Sequence, residues 1–446
     1  MATPRRLATV SALLVATLGL AACSSASGGS SSSTNAGSSA AGSGSAGAQG
    51  KATLWVVAGP ETEKKTYQAA VDAYNKLGKG TIDLQAFQND PYKQKLQTAM
   101  GAGQPADIFF NFGGGSLKAY VDAGKVADIT GVASSDPAFQ KFLPSVMKTV
   151  TYDGKVRGVP LSGIQPVMMF MNKDVFAKYN VQPPTTWDEL LAAVKTFKSN
   201  GVIPIALGGA SKWPELMYEE YLVDRLGGPD VFKNIAANKP GAWSDPAVTA
   251  ANQKIQELVN AGAFGSSYAS TAFDGGQTSA LLYTGKAAMH LMGNWEFDGD
   301  LAANPAFIQQ GKLGYFPFPS VPGGTGDAKN IVGNPATFLS ASANGNTAVA
   351  QEFFKQLASD EYVDSLIKIG NIPAVAGAET KLKSAEHADW LLFNFDLAKN
   401  APSFTQSWDQ ALAPAVGAAL LDNLSKLFLG QLTPEQFATN MNATIK

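Results

Sequence analysis

The sequence predicts an α/β fold divided into two lobes. Short runs that read as strands alternate with segments whose apolar residues recur at helical spacing, and this alternation is typical of α/β architecture. Residues 51–446 are long enough for two or three domains, and a hydrophobic content of 45% can fill substantial cores. Two lobes are the simplest division of that length.

The N-terminus predicts secretion and lipid anchoring. Arg5 and Arg6 precede an apolar run at 7–20, as in a secretory signal, and this run is too short for a stable membrane span. Residues 20–23, Leu-Ala-Ala-Cys, resemble the lipobox of bacterial lipoproteins, in which the cysteine is diacylated. Cys23 is the only cysteine in 446 residues, so it has no internal partner for a disulfide. In the alternative, the peptide is cleaved nearby and the protein is released.

Residues 24–50 are predicted to form a flexible tether. Almost all of them are Ser, Gly or Ala, and none is aromatic or charged, so nothing in this segment can start a core. A flexible chain of this length spans roughly 30 Å, at ~5–6 Å times the square root of the residue number. The tether would let a folded domain move beside a membrane partner.

The charge balance argues against nucleic acid as a partner. The formal net charge is −2, from 34 basic and 36 acidic residues. Removal of Arg5 and Arg6 leaves 34 − 2 = 32 basic residues and a net charge of −4. The sequence also has no basic cluster and no stripe of alternating basic and aromatic residues, which a phosphate-backbone binder needs.

The predicted elements follow the alternation that an α/β fold requires. In the first part of the chain, three strands alternate with two helices, at 53–57, 67–74, 82–87, 96–100 and 107–110. Thr186 is expected to cap a helix whose apolar face runs from 190 to 197, with Glu189 in the capping-box position. The alternation then continues with strands at 203–207 and 287–292 and with helices at 250–259, 348–357 and 416–429.

Motifs for catalysis and for metal or cofactor binding are missing. His290 and His387 are the only histidines, which nearly excludes catalytic triads and histidine-rich metal sites. The first is interpreted as a core or cleft-wall residue and the second as a surface residue. Glycine-rich stretches at 113–115 and 323–326 do not fit a phosphate-binding pattern. We therefore expect no metal and no cofactor.

Aromatic and amide side chains follow several of the predicted strands. Asn111, Trp213 and the group Asn294, Trp295 and Glu296 hold such positions. Ligands of open α/β sheets bind at the carboxyl ends of strands. An indole covers the apolar face of a sugar ring, while amides and carboxylates bind the hydroxyl groups of its rim. The pattern therefore predicts a carbohydrate site.

Core packing is the alternative for every tryptophan. Trp295 follows Gly293, a poor strand context for burial, and is therefore assigned to the ligand. Trp213 and Trp408 are assigned to the ligand as well, with core packing left open. The remaining four are interpreted as structural: Trp55, Trp187, Trp243 and Trp390.

Eight short segments together resemble a known family. The most distinctive are MNKDVF at 171–176 and PTTWDEL at 184–190. The others lie at 106–110, 124–129, 152–160, 285–295, 314–319 and 333–335. In this order and spacing they resemble the family 1 extracellular solute-binding proteins, which include maltose-binding protein and many oligosaccharide receptors of ABC importers. The resemblance covers essentially the whole mature chain.

The resemblance implies a periplasmic-binding-protein-like fold, in which two α/β lobes are joined by hinge crossings and enclose a ligand in the cleft. Closure of such a fold is a hinge motion of rigid units. Crossings are expected near 162–165, 311–314 and 359–363. This assigns residues 51–162 and 314–360 to the first lobe and residues 163–313 and 361–446 to the second.

The resemblance also implies cleft roles for individual residues. Glu61 and Asn111 would contribute polar groups from the first lobe, and Gln165 stands where the family often has a hydroxyl-binding acid or amide. Trp213 and Trp295 would stack on sugar rings from the second lobe. The expected set is completed by Asn294, Glu296, Asn334, Trp408 and Asp409. No tryptophan follows the strand at 107–110, in contrast to maltose-binding protein, which argues against maltose itself as the ligand.

The sequence thus predicts the extracellular substrate-binding component of an ABC importer, with an oligosaccharide ligand. We expect a monomer at the outer face of the cytoplasmic membrane that meets permease subunits and touches the membrane only through its lipid anchor. One alternative is a secreted glycoside hydrolase, but the spacing of Glu61, Glu215 and Glu296 pairs no two of these carboxylates. The other alternative keeps the fold and binds an amino acid, a peptide or a metal complex, for which the loops named above hold few charges.

Overall fold

The structure of the protein is a computed structural model that describes residues 50–445. The predicted signal segment, the lipidation site Cys23 and the tether up to residue 49 lie outside the described residues. Within residues 50–445, no helix combines the length and the apolar character that crossing a membrane requires.

The strands of the described chain are β1 (Lys51–Val57), β2 (Thr81–Phe87), β3 (Ile108–Asn111), β4 (Thr151–Tyr152), β5 (Lys155–Val156), β6 (Val159–Pro160), β7 (Gln165–Asn172), β8 (Ile203–Ala206), β9 (Ala287–Gly293), β10 (Leu313–Phe316), β11 (Ile331–Asn334), β12 (Phe338–Ala341) and β13 (Phe404–Gln406).

Its helices are α1 (Glu61–Lys76), α2 (Asn89–Ala102), α3 (Gly114–Asp122), α4 (Thr130–Ser135), α5 (Pro144–Met147), α6 (Lys173–Lys178), α7 (Trp187–Ser199), α8 (Trp213–Gly227), α9 (Pro229–Ala236), α10 (Pro246–Ala261), α11 (Gln277–Tyr283), α12 (Trp295–Ala303), α13 (Pro305–Gln309), α14 (Thr347–Phe354), α15 (Asp360–Lys368), α16 (Ala378–Lys383), α17 (Ala388–Lys399), α18 (Trp408–Ala411), α19 (Pro414–Phe428) and α20 (Pro434–Asn442).

The first sheet has the strand order β2-β1-β3-β12-β6. β1 pairs in parallel with β2 and β3, whereas β12 pairs antiparallel with β3 and β6. All four residues of β3 are buried, as expected for a central strand that is covered on both faces. Because β1, β2 and β3 run in the same direction, their carboxyl ends open at the same end of the sheet.

The second sheet has the order β13-β11-β7-β9-β8, and β10 pairs with β7 as well. β7 is the central strand and runs antiparallel to β9, β10 and β11. The sequence pattern does not predict β7, because the strand begins with Gln165 and Pro166 and is rich in methionine rather than in β-branched residues. Burial against its neighbours, rather than local propensity, makes it a strand.

Each sheet has its own hydrophobic core. Val56 and Phe109 belong to the core of the first sheet, and Phe170 and Met289 belong to the core of the second. Two separate cores are what the two-lobed α/β prediction requires. The fold class expected from the sequence is therefore confirmed.

The lobe boundary expected at residue 314 is wrong. β10 pairs Leu313 with Asn172, and β11 pairs Asn334 with Gln165, so both strands belong to the second sheet. The chain returns to the first sheet only with β12. The physical reason is that β10 and β11 satisfy the backbone hydrogen-bonding groups of β7, which would otherwise be left unpaired inside the lobe.

The other two changes of lobe occur at the places where crossings are expected. The first joins β6 to β7 through residues 161–164. The third involves α15, in which Tyr362 and Leu366 pack into the first core while Val363 and Ile367 pack into the second. An isolated bridge between Ile164 and Ile372 ties the two connections together.

The predicted start of α7 is confirmed in atomic detail. Thr186 Oγ1 accepts a hydrogen bond from the backbone N–H of Glu189 at 3.3 Å, and Glu189 Oε2 accepts one from the N–H of Thr186 at 3.2 Å. This reciprocal pair is a capping box. The helix expected at 348–357 is shorter than predicted, because α14 ends at Phe354 and the chain continues as a 3-10 turn.

Candidate functional site

A cavity of about 420 Å³ lies between the two lobes. From the first lobe it is lined by residues that follow the carboxyl ends of the parallel strands, including Gly59 and Pro60 after β1, Gln88 after β2 and Phe112 after β3. From the second lobe it is lined by residues that follow β8 and β9. This is the crevice at strand ends that open α/β sheets use for ligands.

Three aromatic side chains of the second lobe form one side of the cavity, which we call the aromatic wall: Trp213, Phe273 and Trp295. The ring centroids of Trp213 and Trp295 are 6.1 Å apart, and those of Trp213 and Phe273 are 4.9 Å apart. All three side chains are only partly buried, so part of each ring is left for a ligand. An apolar surface of this kind suits the C–H face of a sugar ring.

Local backbone features place the two indoles. A Cβ atom at Gly293 would lie 2.0 Å from the ring of Trp295, so only glycine leaves room for the indole at the end of β9. Lys212 has a φ of +61°, which turns the chain sharply before Trp213 opens α8. Gly293, from which the sequence analysis inferred that Trp295 is not a core residue, is thus the residue that leaves space for the indole.

β7 and β11 bring two amide side chains into the cavity. Asn334 is the register partner of Gln165, and both side chains are buried and line the cavity. A Cβ at Gly333, which has a φ of +144°, would lie 2.1 Å from the carbonyl oxygen of Gln165. Glycine is therefore required for this close approach of the two strands.

Two buried polar atoms at the cavity have no hydrogen-bond partner within residues 50–445. They are the indole Nε1 of Trp213, a donor, and the amide Oδ1 of Asn334, an acceptor. Buried polar groups in folded proteins nearly always have partners. A ligand with both hydroxyl donors and hydroxyl acceptors would satisfy this pair without carrying a charge.

Glu296 is held in place by two neighbours. Ser279 Oγ donates to Glu296 Oε2 at 2.9 Å, and His290 Nδ1 lies 3.0 Å from Glu296 Oε1. Ser279 and Glu296 line the cavity, whereas His290 is fully buried behind them. The serine and the histidine bind different oxygens of the carboxylate, so the group orients Glu296 and does not set up a nucleophile.

Glu63, rather than Glu61, brings a first-lobe carboxylate into the cavity, so the assignment of Glu61 is wrong. The side chain of Glu61 is 63% exposed and faces Lys64 on the surface of α1. Glu63 lines the cavity and accepts hydrogen bonds from the Tyr67 hydroxyl at 2.8 Å and from the Gly59 N–H at 3.1 Å. Burial raises the pKa of Glu63 to about 7.

A second carboxylate faces Glu63 from the other lobe. Asp298 on α12 accepts a hydrogen bond from the Thr62 hydroxyl at 2.5 Å. The pKa of Asp298 is raised to about 7, mainly by burial and to a smaller extent by the negative charge of Glu63. Two carboxyl groups that approach each other across the cleft thus hold protons more tightly than they would in water.

Asp409 lines the cavity and pairs across the cleft. Its Oδ2 lies 3.4 Å from Lys93 Nζ of the first lobe. Gln410 Nε2 donates to the same oxygen at 2.6 Å, and Ser407 Oγ lies 3.2 Å from Oδ1. The lysine and the aspartate therefore neutralise each other at the cavity surface.

Two further residues assigned to the ligand do not line the cavity. Asn111 is buried and binds Ser340 Oγ and the N–H of Gly113, so its amide stabilises the first lobe. Asn294 donates to the carbonyl oxygen of Ile164 and supports the crossing beside the cavity. The assignment of Asn111 is wrong because protein groups bind both ends of its amide. The assignment of Asn294 is wrong because its Nδ2 binds the protein and its side chain does not line the cavity.

Trp408 is a core residue. Its side chain is 1% exposed and stacks on Phe232 with a centroid distance of 4.5 Å and an interplanar angle of 11°. Trp243 packs against it edge-on at 6.0 Å. The alternative of core packing is correct for this tryptophan, because α18 turns it inward, whereas the neighbouring residues Ser407, Asp409 and Gln410 line the cavity.

Sequence reasoning missed several lining residues. Gln88 follows β2 as Phe112 follows β3, so the rule of strand ends, applied to every strand, would have found it. No local pattern marks the others, because they reach the cavity from helices or from the irregular loop before α11. These residues are Glu63, Lys93, Phe273 and Asp274.

Across residues 50–445, no group of three or more His, Cys, Asp or Glu side chains is placed to hold a metal ion.

Comparison with known proteins agrees with this architecture. The model of the bacterial extracellular solute-binding protein family matches residues 58–364. A solved structure described in work on xylan utilization by the thermophilic bacterium Caldanaerobius polysaccharolyticus is 31% identical, with a TM-score of 0.81, and the match covers 89% of this chain and 100% of that one.

Two curated relatives match part of the chain. An uncharacterized ABC transporter extracellular-binding protein of Pyrococcus horikoshii is 28% identical over 251 residues, which are 56% of this chain and 54% of the relative. A probable sugar-binding periplasmic protein of Brucella melitensis is 27% identical over 204 residues, which are 45% and 44% of the two chains. The matches thus span about half the length of these relatives. The chain belongs to the bacterial extracellular solute-binding protein family.

Proposed function

We propose that this protein is the carbohydrate-binding component of an ABC importer and that it binds an oligosaccharide in the cleft between its lobes. One observation carries the proposal: the cleft combines the aromatic wall with uncharged buried groups, Trp213 Nε1 and Asn334 Oδ1, that lack partners in the described chain. A sugar matches both features, because its C–H face packs on an indole and its hydroxyls donate and accept hydrogen bonds.

The charged groups of the cleft favour an uncharged ligand. Glu63, Asp274 and Glu296 each accept a hydrogen bond from protein groups, and Lys93 pairs with Asp409. A charged cargo such as an amino acid would need an opposite charge that is free to pair with it. The engagement of these groups supports carbohydrate over an amino acid, a peptide or a metal complex.

Binding without hydrolysis is part of the proposal. A glycoside hydrolase needs one carboxyl group to protonate the leaving oxygen and a second to act as nucleophile or base. Glu296 is engaged by Ser279 and His290, and Asp409 is engaged by Lys93. Membership of a family of solute-binding proteins also supports this view.

Delivery to a membrane permease completes the proposed role. It is supported by the family and by the relative from Pyrococcus horikoshii, which is named as an ABC transporter protein. The sugar cargo is supported by the Brucella melitensis relative, which is named as a probable sugar-binding protein. We further propose a monomer that is held at the outer face of the cytoplasmic membrane by a lipid on Cys23 and by the tether at residues 24–50.

A thermal-shift screen tests the proposed function. The panel contains xylo-oligosaccharides, other mono- and oligosaccharides, amino acids and peptides, and each hit is titrated by tryptophan fluorescence. A ligand at a hundred times its Kd stabilises the native state by ~2.7 kcal/mol. We expect an oligosaccharide to raise the melting temperature, to change the emission and to be recovered intact.

Two results would contradict the proposal. Recovery of cleaved sugar would assign the protein to hydrolysis. A melting shift with amino acids or peptides but with no sugar would keep the fold and replace the ligand class. The variant Trp55→Ala is the control for the fluorescence signal, because Trp55 lies in β1 under Lys95, outside the cavity.

A further inference from the structure

Helix α2 begins at the cleft without a side-chain cap from its own lobe. Its N-cap residue is Gln88, whose side chain makes no capping hydrogen bond. The first N–H groups of any helix have no partner within the helix and need one from elsewhere. By contrast, α10 in the second lobe carries its own cap, Asp245, which accepts from the N–H of Ala247 at 2.9 Å.

The missing cap of α2 is supplied from the other lobe. Asp274 Oδ2 accepts a hydrogen bond from the backbone N–H of Asp90 at 2.9 Å. The loop that carries Asp274 belongs to the second lobe, because the N–H of Phe273 donates to Ser211 Oγ at 3.1 Å. A carboxylate at the start of a helix is favoured both by the free N–H groups and by the helix dipole.

This contact lies at the cavity, beside sheet edges that are opposite to two of the three crossings. α2 follows β2, an edge strand of the first sheet, and Phe273 packs against Gly208 just after β8, an edge strand of the second. Two of the three crossings, those between β6 and β7 and between β11 and β12, run towards the other edges of the two sheets. A contact between the β2 edge and the β8 edge therefore breaks when the lobes swing apart.

The charges around Asp274 partly offset one another. Burial raises the pKa of Asp274, the N–H groups of Asp90 and Asn89 lower it, and the carboxylate of Asp90 and the ammonium of Lys93 act in opposite directions. The backbone N–H groups of α2 thus offset part of the desolvation cost of closing the cleft on this carboxylate. The contact requires a side-chain oxygen at position 274 that accepts a hydrogen bond from the Asp90 N–H.

We propose that Asp274 is a latch that caps α2 only when the lobes are closed and so sets how tightly the cleft holds its ligand. The proposal rests on the proposed function, in which a ligand is enclosed in this cleft. If closing is coupled to binding, a lost latch lowers the fraction of closed protein and weakens the apparent affinity by the same factor. Asp274 thus changes the ligand affinity by changing the equilibrium between open and closed lobes.

The test compares three variants of the full chain. Asp274→Ala removes the acceptor, and Asp274→Asn keeps an oxygen acceptor without the charge. Asp245→Ala is the matched control, because it removes a helix cap that lies entirely within the second lobe. For each protein we would measure hydrogen exchange of the Asp90 amide without ligand and then the affinity and dissociation rate for xylo-oligosaccharides or for the panel sugar that raises the melting temperature.

We expect Asp274→Ala to speed exchange of the Asp90 amide and to weaken sugar affinity roughly three- to thirtyfold, mainly through faster dissociation. Asp274→Asn should stay close to the parent protein in both measurements. Asp245→Ala should lower the melting temperature but leave the Asp90 amide and the affinity unchanged.

The two measurements separate the latch from the proposed function. The latch proposal is wrong if Asp274→Ala leaves the exchange rate of the Asp90 amide unchanged. It is also wrong if Asp245→Ala weakens the affinity as much as Asp274→Ala does. If no panel sugar binds but the amide responds to Asp274→Ala, the proposed function fails and the latch contact stands.

Discussion

Burial divides the tryptophans of this protein. Four of them are almost completely buried and pack in the second core: Trp187, Trp243, Trp390 and Trp408. Trp213 and Trp295 are partly buried and line the cavity, and Trp55 is partly buried beside β2. The residue type therefore does not distinguish a ligand contact from a core contact.

At the residue scale, we predict that Trp295→Ala weakens oligosaccharide binding by about 2–4 kcal/mol, on the scale of a lost aromatic anchor. The indole forms part of the aromatic wall and contacts Trp213. Fluorescence titration or calorimetry measures the loss. Trp55→Ala is the control, and an affinity of Trp295→Ala within a factor of two of the parent would show that the ligand does not stack there.

Single glycines place some of the site residues. Gly293 leaves space for the indole of Trp295, and Gly333 lets β11 approach Gln165. Both glycines occur in segments that the sequence comparison singled out, at 285–295 and 333–335. The role of Gly333 is visible only when the neighbouring strand is known, because the Cβ would meet Gln165 and Pro166 of β7.

At the element scale, local signals predict helices well where caps are present. The capping box of Thr186 and Glu189 and the apolar face from 190 to 197 fix the start and the orientation of α7. β1, β2 and β3 are also recognisable, because they alternate with amphipathic helices. β10, β11 and β13 are not, because each is short and becomes a strand through pairing with its neighbours.

We predict that Thr186→Ala lowers the free energy of unfolding by about 1 kcal/mol, because one half of the capping box is lost. The melting temperature should fall by about 1–3 °C in calorimetry. Sugar affinity should not change, since α7 does not line the cavity. Thr196→Ala, on the exposed face of the same helix, is the control and should have a smaller effect; an equal effect would remove the cap as the cause.

At the scale of the whole molecule, the second lobe buries several carboxyl groups behind the cleft. Burial raises the pKa of Glu220 and of Glu215 to about 8 and that of Asp298 to about 7. Glu220 Oε1 accepts hydrogen bonds from the N–H of Trp408 at 2.7 Å and from Ser407 Oγ at 2.8 Å, which tie α8 to the segment before α18. These groups connect the stability of the lobe to pH.

We predict that stability falls as pH rises from about 5 to 8. Each of these carboxyl groups has a folded-state pKa above its unfolded value, which is 4.5 for the glutamates and 3.8 for the aspartate, so the folded protein keeps a proton that the unfolded chain has lost. That stabilisation is present in full below the unfolded pKa and is lost as the pH rises through the folded pKa. Thermal unfolding followed between pH 5 and 8 measures the slope.

Glu220→Gln tests the assignment of this slope. A neutral amide keeps an oxygen that can accept from Trp408 N–H and Ser407 Oγ, so the fold should be retained. One titrating group is removed, which should make the pH dependence of the free energy of unfolding shallower, by up to about 1.4 kcal/mol per pH unit. Glu61→Gln on the exposed surface is the control; equal slopes in all three proteins would exclude Glu220 as a contributor.

The sequence by itself determined the α/β class, the two-lobe division, the family and the strands β8 and β9 that precede Trp213 and Trp295. These features depend on local periodicity, on caps and on the order of short motifs, all of which are written along the chain. The prediction of secretion and lipid anchoring at Cys23 rests on the sequence alone as well, because that part of the chain lies outside the described residues.

Only the tertiary structure decided the rest of the site. The structure shows that the lobe boundary lies after β11 and that Glu63, rather than Glu61, lines the cavity. It also shows that Trp408 packs in the core and that Asp274 caps α2. Each of these outcomes depends on which groups meet across the two sheets or across the cleft. Residues far apart in sequence compete there for the same hydrogen bonds and the same space. Local sequence patterns do not show which residues meet, so they cannot predict the outcome.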